Sequence, residues 1–218
     1  MELDRYFTTA DREAVEAAVR GSEGRTSGEI VPFVVDQSDD YPNAVWKGAA
    51  LGALIAPLLA LALYRAGGFW GEHLALWIAL PALAGGALGF LLARALPPLR
   101  RALAGRESCE LRCRRRAAVA FLECEVFKTA GRTGILVFVS IFEHQVVVLA
   151  DSGIHASVPQ SAWDAIAGRL AASLRQGERG PALARAIREC GELLNRQGVA
   201  RAPDDANELP DTLQRRRH

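Results

Sequence analysis

Apolar residues are concentrated in two long uninterrupted stretches of this chain. Residues 48–64 and 74–93 carry no charged side chain over 17 and 20 positions. At about 1.5 Å of rise per residue, helices of this length match a bilayer hydrocarbon core of about 30 Å. Both stretches contain proline and many glycines and alanines, which membrane helices tolerate and which let two helices approach closely. The pattern predicts two transmembrane helices.

The connection between the two stretches is short and rich in glycine, so the helices should form an antiparallel hairpin. We expect its contact strip to be formed by small residues, namely Gly48, Gly52, Ala84, Gly85, Gly86 and Gly89. Four aromatic residues near the helix ends are candidate membrane anchors, namely Trp46, Tyr64, Trp70 and Trp77. The alternative is a buried helical pair in a soluble protein, but 218 residues are too few to cover both helices on every side.

Positive charge is unequal on the two sides of the predicted hairpin. Lys47 precedes it, the link contains only Arg65, and eight arginines follow it: Arg94, Arg100, Arg101, Arg106, Arg112, Arg114, Arg115 and Arg116. Because Lys and Arg accumulate on the cytoplasmic side, and the first residues lack a signal-peptide pattern, we expect the soluble parts to be cytoplasmic. The four cysteines should then be free thiols. The expected partners are the lipid bilayer and other membrane proteins. The net charge of +1 gives no argument for nucleic acid.

Shorter periodic patterns outside the hairpin alternate between helix and strand. Helices are predicted over residues 11–23, 106–128, 161–176 and 181–195, and strands over 29–35, 134–140 and 145–150. Pro32 suggests that the first strand lies at an edge or a bulge, because proline lacks a donor for the ladder. The last two strands should form a β-hairpin. From Pro203 onward the chain is polar, which is typical of a mobile tail.

These elements predict an α/β fold with a small mixed sheet flanked by helices and interrupted by an inserted two-helix transmembrane hairpin. Residues 1–43 and 98–198 are expected to be the two parts of one domain. Residues 44–97 form the hairpin, and residues 199–218 form the polar tail.

Four short motifs outside the hairpin occur in an order that resembles one protein family. They are TSGEIV at 26–31, FKT at 127–129 with GILV at 134–137, and ADSGI at 150–154 followed by Val158 and Trp163. This combination looks like the TPM domain, named for thylakoid lumen, photosystem II repair and acetylcholine-receptor modulator proteins. The motif NELPD at 207–211 is similar to the tail of a bacterial membrane-associated branch. The resemblance implies a mixed sheet between helices, a site for Ca²⁺ or Mg²⁺, and a location in the bacterial inner membrane. It also implies either acid phosphatase activity or an accessory role in membrane complexes.

Asp151 is the leading candidate for a site residue. It follows a predicted strand directly and precedes Ser152 and Gly153, at a place where α/β folds bind ligands. The alternative is that Asp151 only stabilises a turn or caps the next segment. A hard divalent cation needs several oxygen ligands, so Glu29 and Asp36 are added as candidate metal ligands.

The sequence shows no complete catalytic set, and we assign no catalytic residue. Cys109 and Arg115 have the C-x5-R spacing of cysteine phosphatases, but the stretch between them lacks the glycines that a phosphate-binding loop needs. The leading hypothesis is therefore an integral membrane protein whose cytoplasmic TPM-like domain is a binding or accessory module. The alternative is a metal-dependent phosphomonoesterase that uses Asp151 and Glu29 as metal ligands.

Overall fold

The computed structural model describes residues 6–67, 73–155, 158–198 and 208–216. The chain divides into two compact units, one formed by Met1–Asp39 with Glu110–His218 and the other by Asp40–Cys109. In chain order the described elements are α1 (Thr9–Glu23), β1 (Glu29–Val35), α2 (Pro42–Ala66), α3 (Leu74–Ala95), α4 (Pro97–Ala104), α5 (Arg106–Glu123), a 3₁₀ turn (Val126–Lys128), β2 (Gly134–Ser140), β3 (Gln145–Ala150), α6 (Ser152–His155), α7 (Gln160–Arg175), α8 (Gly180–Arg196) and β4 (Gln214–Arg216).

The first unit is a mixed α/β domain with its strands in the order β3-β2-β1-β4. Strands β1 and β2 are parallel, with Glu29 opposite Gly134, and β2 and β3 form the expected antiparallel hairpin. The predicted limits of β1, β2 and β3 are confirmed. Pro32 marks no bulge, because β1 pairs with β2 in unbroken register. The expectation of an edge holds at Pro32 itself, although the rest of β1 lies between β2 and β4. Strand β4 pairs with β1 only from Phe33 onward, so the ladder between them begins after the proline.

Alternating side chains of the central strands divide the core into two layers. Ile30 and Val34 of β1 pack on the face covered by α1, α7 and α8, where Trp163 is fully buried. Val31, Phe33 and Val35 of β1 lie on the opposite face of the sheet and pack against α5. This period of two is what a sheet buried on both faces requires, and it explains why every residue of β1 and β2 is buried.

Helix α1 begins where its sequence signals a cap. Thr8 accepts a hydrogen bond from the Asp11 backbone N–H through Oγ1 (3.2 Å), and the Thr8 N–H donates to Asp11 Oδ2 (2.9 Å). This reciprocal capping box satisfies two helix-end donors and fixes the first turn. Val15 and Val19 then lie on one face of α1 and are buried in the core.

Two expectations about element ends are corrected. The helix predicted over residues 106–128 ends at Glu123, because Glu125 adopts a left-handed backbone conformation (φ 54°) that a right-handed helix cannot continue. The tail expected to be mobile contains β4, and Leu209 and Leu213 are buried. These leucines and the main-chain pairing with β1 hold residues 208–216 against the domain. Residues 199–207 and 217–218 lie outside the described part of the chain.

The second unit contains α2 and α3, which pack along each other in antiparallel directions. Both are long and apolar enough to cross a membrane by length and composition. The predicted contact strip is confirmed at its glycines: a Cβ at Gly52 would lie 2.7 Å from the Gly85 carbonyl carbon, and one at Gly89 would lie 2.9 Å from that of Gly48. Only glycine permits this approach, which is typical of helix contacts built on small residues.

Candidate functional site

Asp151, the leading candidate from the sequence, lies just beyond the end of β3 and is 5% exposed. Its Oδ1 accepts hydrogen bonds from the Ser152 backbone N–H (2.6 Å) and from Arg132 Nη2 (3.0 Å). Arg132 Nε lies 2.8 Å from Oδ2, so the guanidinium contacts both carboxylate oxygens. This ion pair, with one hydrogen bond from Nη2 to Oδ1, balances the charge of Asp151, and a cation at this carboxylate would have to compete with Arg132.

Gly153 closes the same turn by close packing. Its N–H donates to the Arg132 carbonyl oxygen (3.0 Å), and a Cβ at this position would lie 2.7 Å from that oxygen. The glycine therefore lets the segment after β3 sit directly on the loop before β2. In this geometry Asp151 and the first residues of α6, Ser152 and Gly153, are held against the loop before β2.

The three candidate metal ligands do not meet at one place. Glu29 and Asp151 lie at the same end of the strands, beside the first residue of β2. They are on opposite sides of β2, because Glu29 of β1 pairs with Gly134 and the Asp151 N–H, after β3, donates to the Gly134 carbonyl oxygen. Asp36 follows the other end of β1, about 23 Å from Glu29 at about 3.3 Å per residue. Among the residues that the structure describes, no three His, Cys, Asp or Glu side chains form a group that could hold a metal ion.

Glu29 instead belongs to an acidic cluster where the tail segment meets the domain. Its Oε1 accepts a hydrogen bond from the Glu208 backbone N–H (3.3 Å), and Glu208 Oε2 accepts one from the Ala130 N–H (2.8 Å). Nearby, Glu23 Oε1 accepts a hydrogen bond from the Ile30 N–H (2.9 Å). The contacts of Glu29 and Glu208 attach the segment that leads into β4.

Burial raises the pKa of the Glu23 carboxyl from 4.5 to about 8. The negative charges of Glu29 and Asp211 raise this pKa further, while the hydrogen bond from Ile30 lowers it. Glu23 therefore holds a proton at neutral pH and can donate a hydrogen bond to the Asp211 carboxylate. Protonation of Glu23 thus removes one negative charge from the acidic cluster beside the tail segment.

A second polar cluster, which sequence reasoning missed, lies at the carboxyl ends of the parallel strands β1 and β2. Ser38 Oγ donates to Ser140 Oγ (3.0 Å) and lies 3.4 Å from Cys113 Sγ, while the Ser38 N–H donates to Glu143 Oε1 (2.8 Å). Ser140 Oγ also donates to Glu143 Oε2. All four side chains are buried. One signal could have indicated the cluster: Ser140 ends a strand that is otherwise entirely apolar.

This cluster contains hydroxyls, a thiol and a carboxylate, which are the groups of a nucleophile and its base. Their burial prevents a substrate from reaching them, and each hydroxyl is already used in a hydrogen bond to another member. The arrangement therefore acts as a latch that holds the loop after β1 to the turn after β2. We call Ser38, Ser140, Glu143 and Cys113 the buried latch.

The cysteines have no arrangement for redox or metal chemistry in the described structure. All four are free, as expected from the sequence. Burial raises the pKa of the Cys190 thiol to about 12, so this thiol stays protonated and unreactive at neutral pH.

The candidate membrane anchors occupy the two ends of the α2–α3 pair. Trp46 stacks edge-on against Phe90 with ring centroids 5.4 Å apart, and Tyr64 lies 5.6 Å from Trp77. Trp46 and Tyr64 are separated along α2 by about 27 Å at about 1.5 Å per residue, close to the thickness of a hydrocarbon core. Trp70 lies outside the described residues.

A groove of about 360 Å³ lies between α7 and α8, on the side of the domain away from the sheet. Ala162, Ile166 and Leu193 form part of its wall, and the Arg169–Glu189 ion pair (2.6 Å) crosses it. None of the residues that the sequence singled out as site candidates lines this groove.

Comparison with known proteins gives information on the fold. No protein-family model and no curated protein sequence matches this chain. Among solved structures, the chain is similar to the BA42 protein from the psychrophilic bacterium Bizionia argentinensis, determined by NMR, with a TM-score of 0.59 and 17% sequence identity over 98% of both chains. At this identity the similarity shows a shared fold.

Proposed function

We propose that this chain is a multi-pass protein of the bacterial inner membrane, whose cytoplasmic TPM-like domain is a binding or accessory module for other membrane proteins. The main support is the apolar exterior of α2 and α3, where Leu58, Leu63 and Leu83 are among many exposed large side chains. A continuous apolar surface of this kind is unfavourable in water and matches the hydrocarbon core of a bilayer.

The arginine distribution supports the cytoplasmic orientation. Arg100, Arg101 and Arg106 follow the hairpin closely, whereas Arg65 is the single arginine in its link. The amino group of Lys47, at the start of the hairpin, donates to the Leu103 carbonyl oxygen (3.1 Å). The basic residues on both sides of the hairpin thus belong to the end that also connects to the α/β domain, which is the end expected in the cytoplasm.

The TPM-like assignment is supported by the placement of the motif segments. The start of β1, the start of β2 and the end of β3 lie side by side at one end of the strands, with Gly134 between Glu29 and Asp151. Segments far apart in the sequence thus meet at one place, as expected for motifs of a common fold.

The groups that could perform phosphomonoester hydrolysis are ion-paired or buried, which favours the module function over the phosphomonoesterase. Asp151 is paired with Arg132, and the hydroxyls and thiol of the buried latch are enclosed. These groups stabilise the fold where they lie, so we infer a domain that presents a surface rather than a reaction centre.

Cysteine labelling in intact cells tests the membrane topology. His73→Cys lies at the link end of α3, and Gly168→Cys lies at an exposed, sterically open position on α7. A membrane-impermeant maleimide added outside should label position 73 at once and position 168 only after permeabilisation. The reverse order would contradict the cytoplasmic orientation.

Turnover of a phosphomonoester by the full chain, with Ca²⁺ or Mg²⁺ present, tests the module function. We expect no turnover from the wild type or from Asp151→Asn. Activity that the wild type shows and the variant lacks, with both proteins folded, would overturn the module function in favour of the enzyme.

A further inference from the structure

The side of helix α5 that faces away from the sheet forms one continuous exposed face. Its exposed positions follow the i, i+3, i+4, i+7 spacing of a single helix face. We call this surface the outer face of α5; it consists of Leu111, Arg114, Arg115, Ala118, Val119 and Leu122. The opposite side, with Ala117 and Ala120, is buried against the sheet.

Large apolar side chains are exposed on this face. Leu111, Val119 and Leu122 are 49%, 48% and 62% exposed. Within the described part of the α/β unit, no other large apolar side chain is classed as exposed. A single exposed leucine is ordinary on a protein surface, but three confined to one helix face indicate an interaction surface.

Two arginines stand on the same face. Arg114 and Arg115 are exposed, and among the described residues neither forms an ion pair. The other nearby arginines are engaged, since Arg112 pairs with Asp39 (2.7 Å) and Arg116 with Glu123 (3.2 Å). The outer face of α5 therefore combines apolar side chains with uncompensated positive charge.

We propose that the outer face of α5 binds anionic phospholipids of the membrane that holds the hairpin. This rests on the proposed function, because only the ten residues 96–105 separate the end of α3 from the start of α5, which keeps the start of α5 close to that membrane. Leu111, Val119 and Leu122 enter the boundary between headgroups and acyl chains. Arg114 and Arg115 contact the lipid phosphates.

The combination of residues favours lipid over other occupants. A basic helix face with leucines suits a membrane interface, where arginines near an anionic leaflet are attracted to the lipid phosphates. The charge of this face favours anionic lipid over a second copy of the chain, because a second copy of the same face would bring Arg114 and Arg115 against like charges.

A site-specific fluorophore on the full chain in lipid nanodiscs tests this proposal. The label is placed at Ala118→Cys with Cys124→Ser, and the discs contain phosphatidylcholine alone or mixed with phosphatidylglycerol. The matched control is a label at Gly168→Cys, an exposed and sterically open position on α7, which packs on the other face of the sheet. A third label at Leu58→Cys on α2 reports insertion of the hairpin itself.

We expect headgroup-level quenchers to quench the label at position 118 at least threefold more in anionic than in zwitterionic discs, while position 168 stays unquenched. The double variant Arg114→Glu/Arg115→Glu should reduce quenching at 118 to the zwitterionic level, and Leu111→Ser/Leu122→Ser should reduce it in anionic discs. Equal quenching at 118 and 168, or no dependence on lipid charge, overturns the proposal.

Two further outcomes also overturn it and are distinguishable. If acyl-chain quenchers leave the Leu58→Cys label unaffected, the hairpin is not inserted and the proposed function fails as well. In discs that hold two copies of the chain, the label at position 118 could be shielded from aqueous iodide and also be unaffected by lipid quenchers. That result would show that a second copy covers the outer face of α5.

Discussion

The glycine contact strip between α2 and α3 permits a quantitative prediction. A Cβ added at Gly52 would lie 2.7 Å from the Gly85 carbonyl carbon. Comfortable carbon–carbon contact needs about 3.5–4.0 Å, so the helices must separate locally by about 1 Å. Because the obstructing atoms belong to the backbone, no side-chain rotation can relieve the contact. Overpacking of this kind costs about 1–3 kcal/mol, so we expect Gly52→Ala to destabilise the close pair by about 2 kcal/mol.

Disulfide formation across the strip measures this separation. A Cβ built at Gly86 lies 3.3 Å from Ala53 Cβ, near the Cβ–Cβ distance of about 3.5–4.5 Å in disulfides. The double variant Ala53→Cys/Gly86→Cys should therefore cross-link readily with a mild oxidant in detergent or nanodiscs. Adding Gly52→Ala should slow cross-linking at least tenfold, since about 2 kcal/mol corresponds to about thirtyfold in population.

Leu54→Ala is the matched control, because Leu54 is on α2 but exposed on the exterior of the pair. It should leave the cross-linking rate unchanged. Cross-linking that is equally fast with Gly52→Ala would show that the two backbones do not approach at these glycines. The physical argument for the strip would then be wrong.

Three further changes test the α/β unit of the full chain in detergent. The raised pKa of Glu23 makes the folded state bind an extra proton between pH 4.5 and about 8, so the free energy of unfolding should fall as pH rises through that window. Glu23→Gln keeps both hydrogen bonds without titrating, and it should be more stable than wild type by about 1 kcal/mol at pH 9 but not at pH 4.5. The exposed control Glu13→Gln should show no such difference between the two pH values. Asp151→Asn should lower the free energy of unfolding by about 1 kcal/mol through loss of the Arg132 pair without changing the heat of Ca²⁺ titration, whereas saturable binding lost in the variant would restore the metal hypothesis. Leu209→Ala should cost about 2 kcal/mol and expose the amides of β4 to hydrogen exchange; unchanged protection would mean that Leu209 does not hold the tail.

Local pattern was sufficient for most of the fold. Strands β1, β2 and β3 are β-branched runs between turn residues, and their limits coincide with the prediction. The glycines of the hairpin were recognisable because two apolar stretches with a short link leave few alternatives. The strand limits depend on residues a few positions away in the chain, and such local relations can be read directly from the sequence.

Long-range pairing accounts for what the sequence did not show. Strand β4 has the sequence Gln-Arg-Arg, which has no apolar alternation, and it is a strand only because β1 offers an edge about 180 residues earlier. The buried latch joins Ser38 to Ser140 and Glu143, which are more than 100 positions away. The limits of β1 alone separate two of the candidate metal ligands, because Glu29 begins the strand and Asp36 follows its end.

The position of the buried latch explains how a long helical hairpin can interrupt this domain. Parallel strands such as β1 and β2 need a crossover connection, and α5 serves as its helix on one face of the sheet. The hairpin occupies the same connection, leaving the α/β unit after Asp39 and returning at Glu110. Ser38 is bound by Glu143 just before the chain leaves, and Asp39 pairs with Arg112 just after it returns. The chain is thus fixed on both sides of the insertion by contacts within the α/β unit. The hydrogen bonds among Ser38, Ser140 and Glu143 thus hold the chain beside the β1–β2 ladder at the point where the insertion begins.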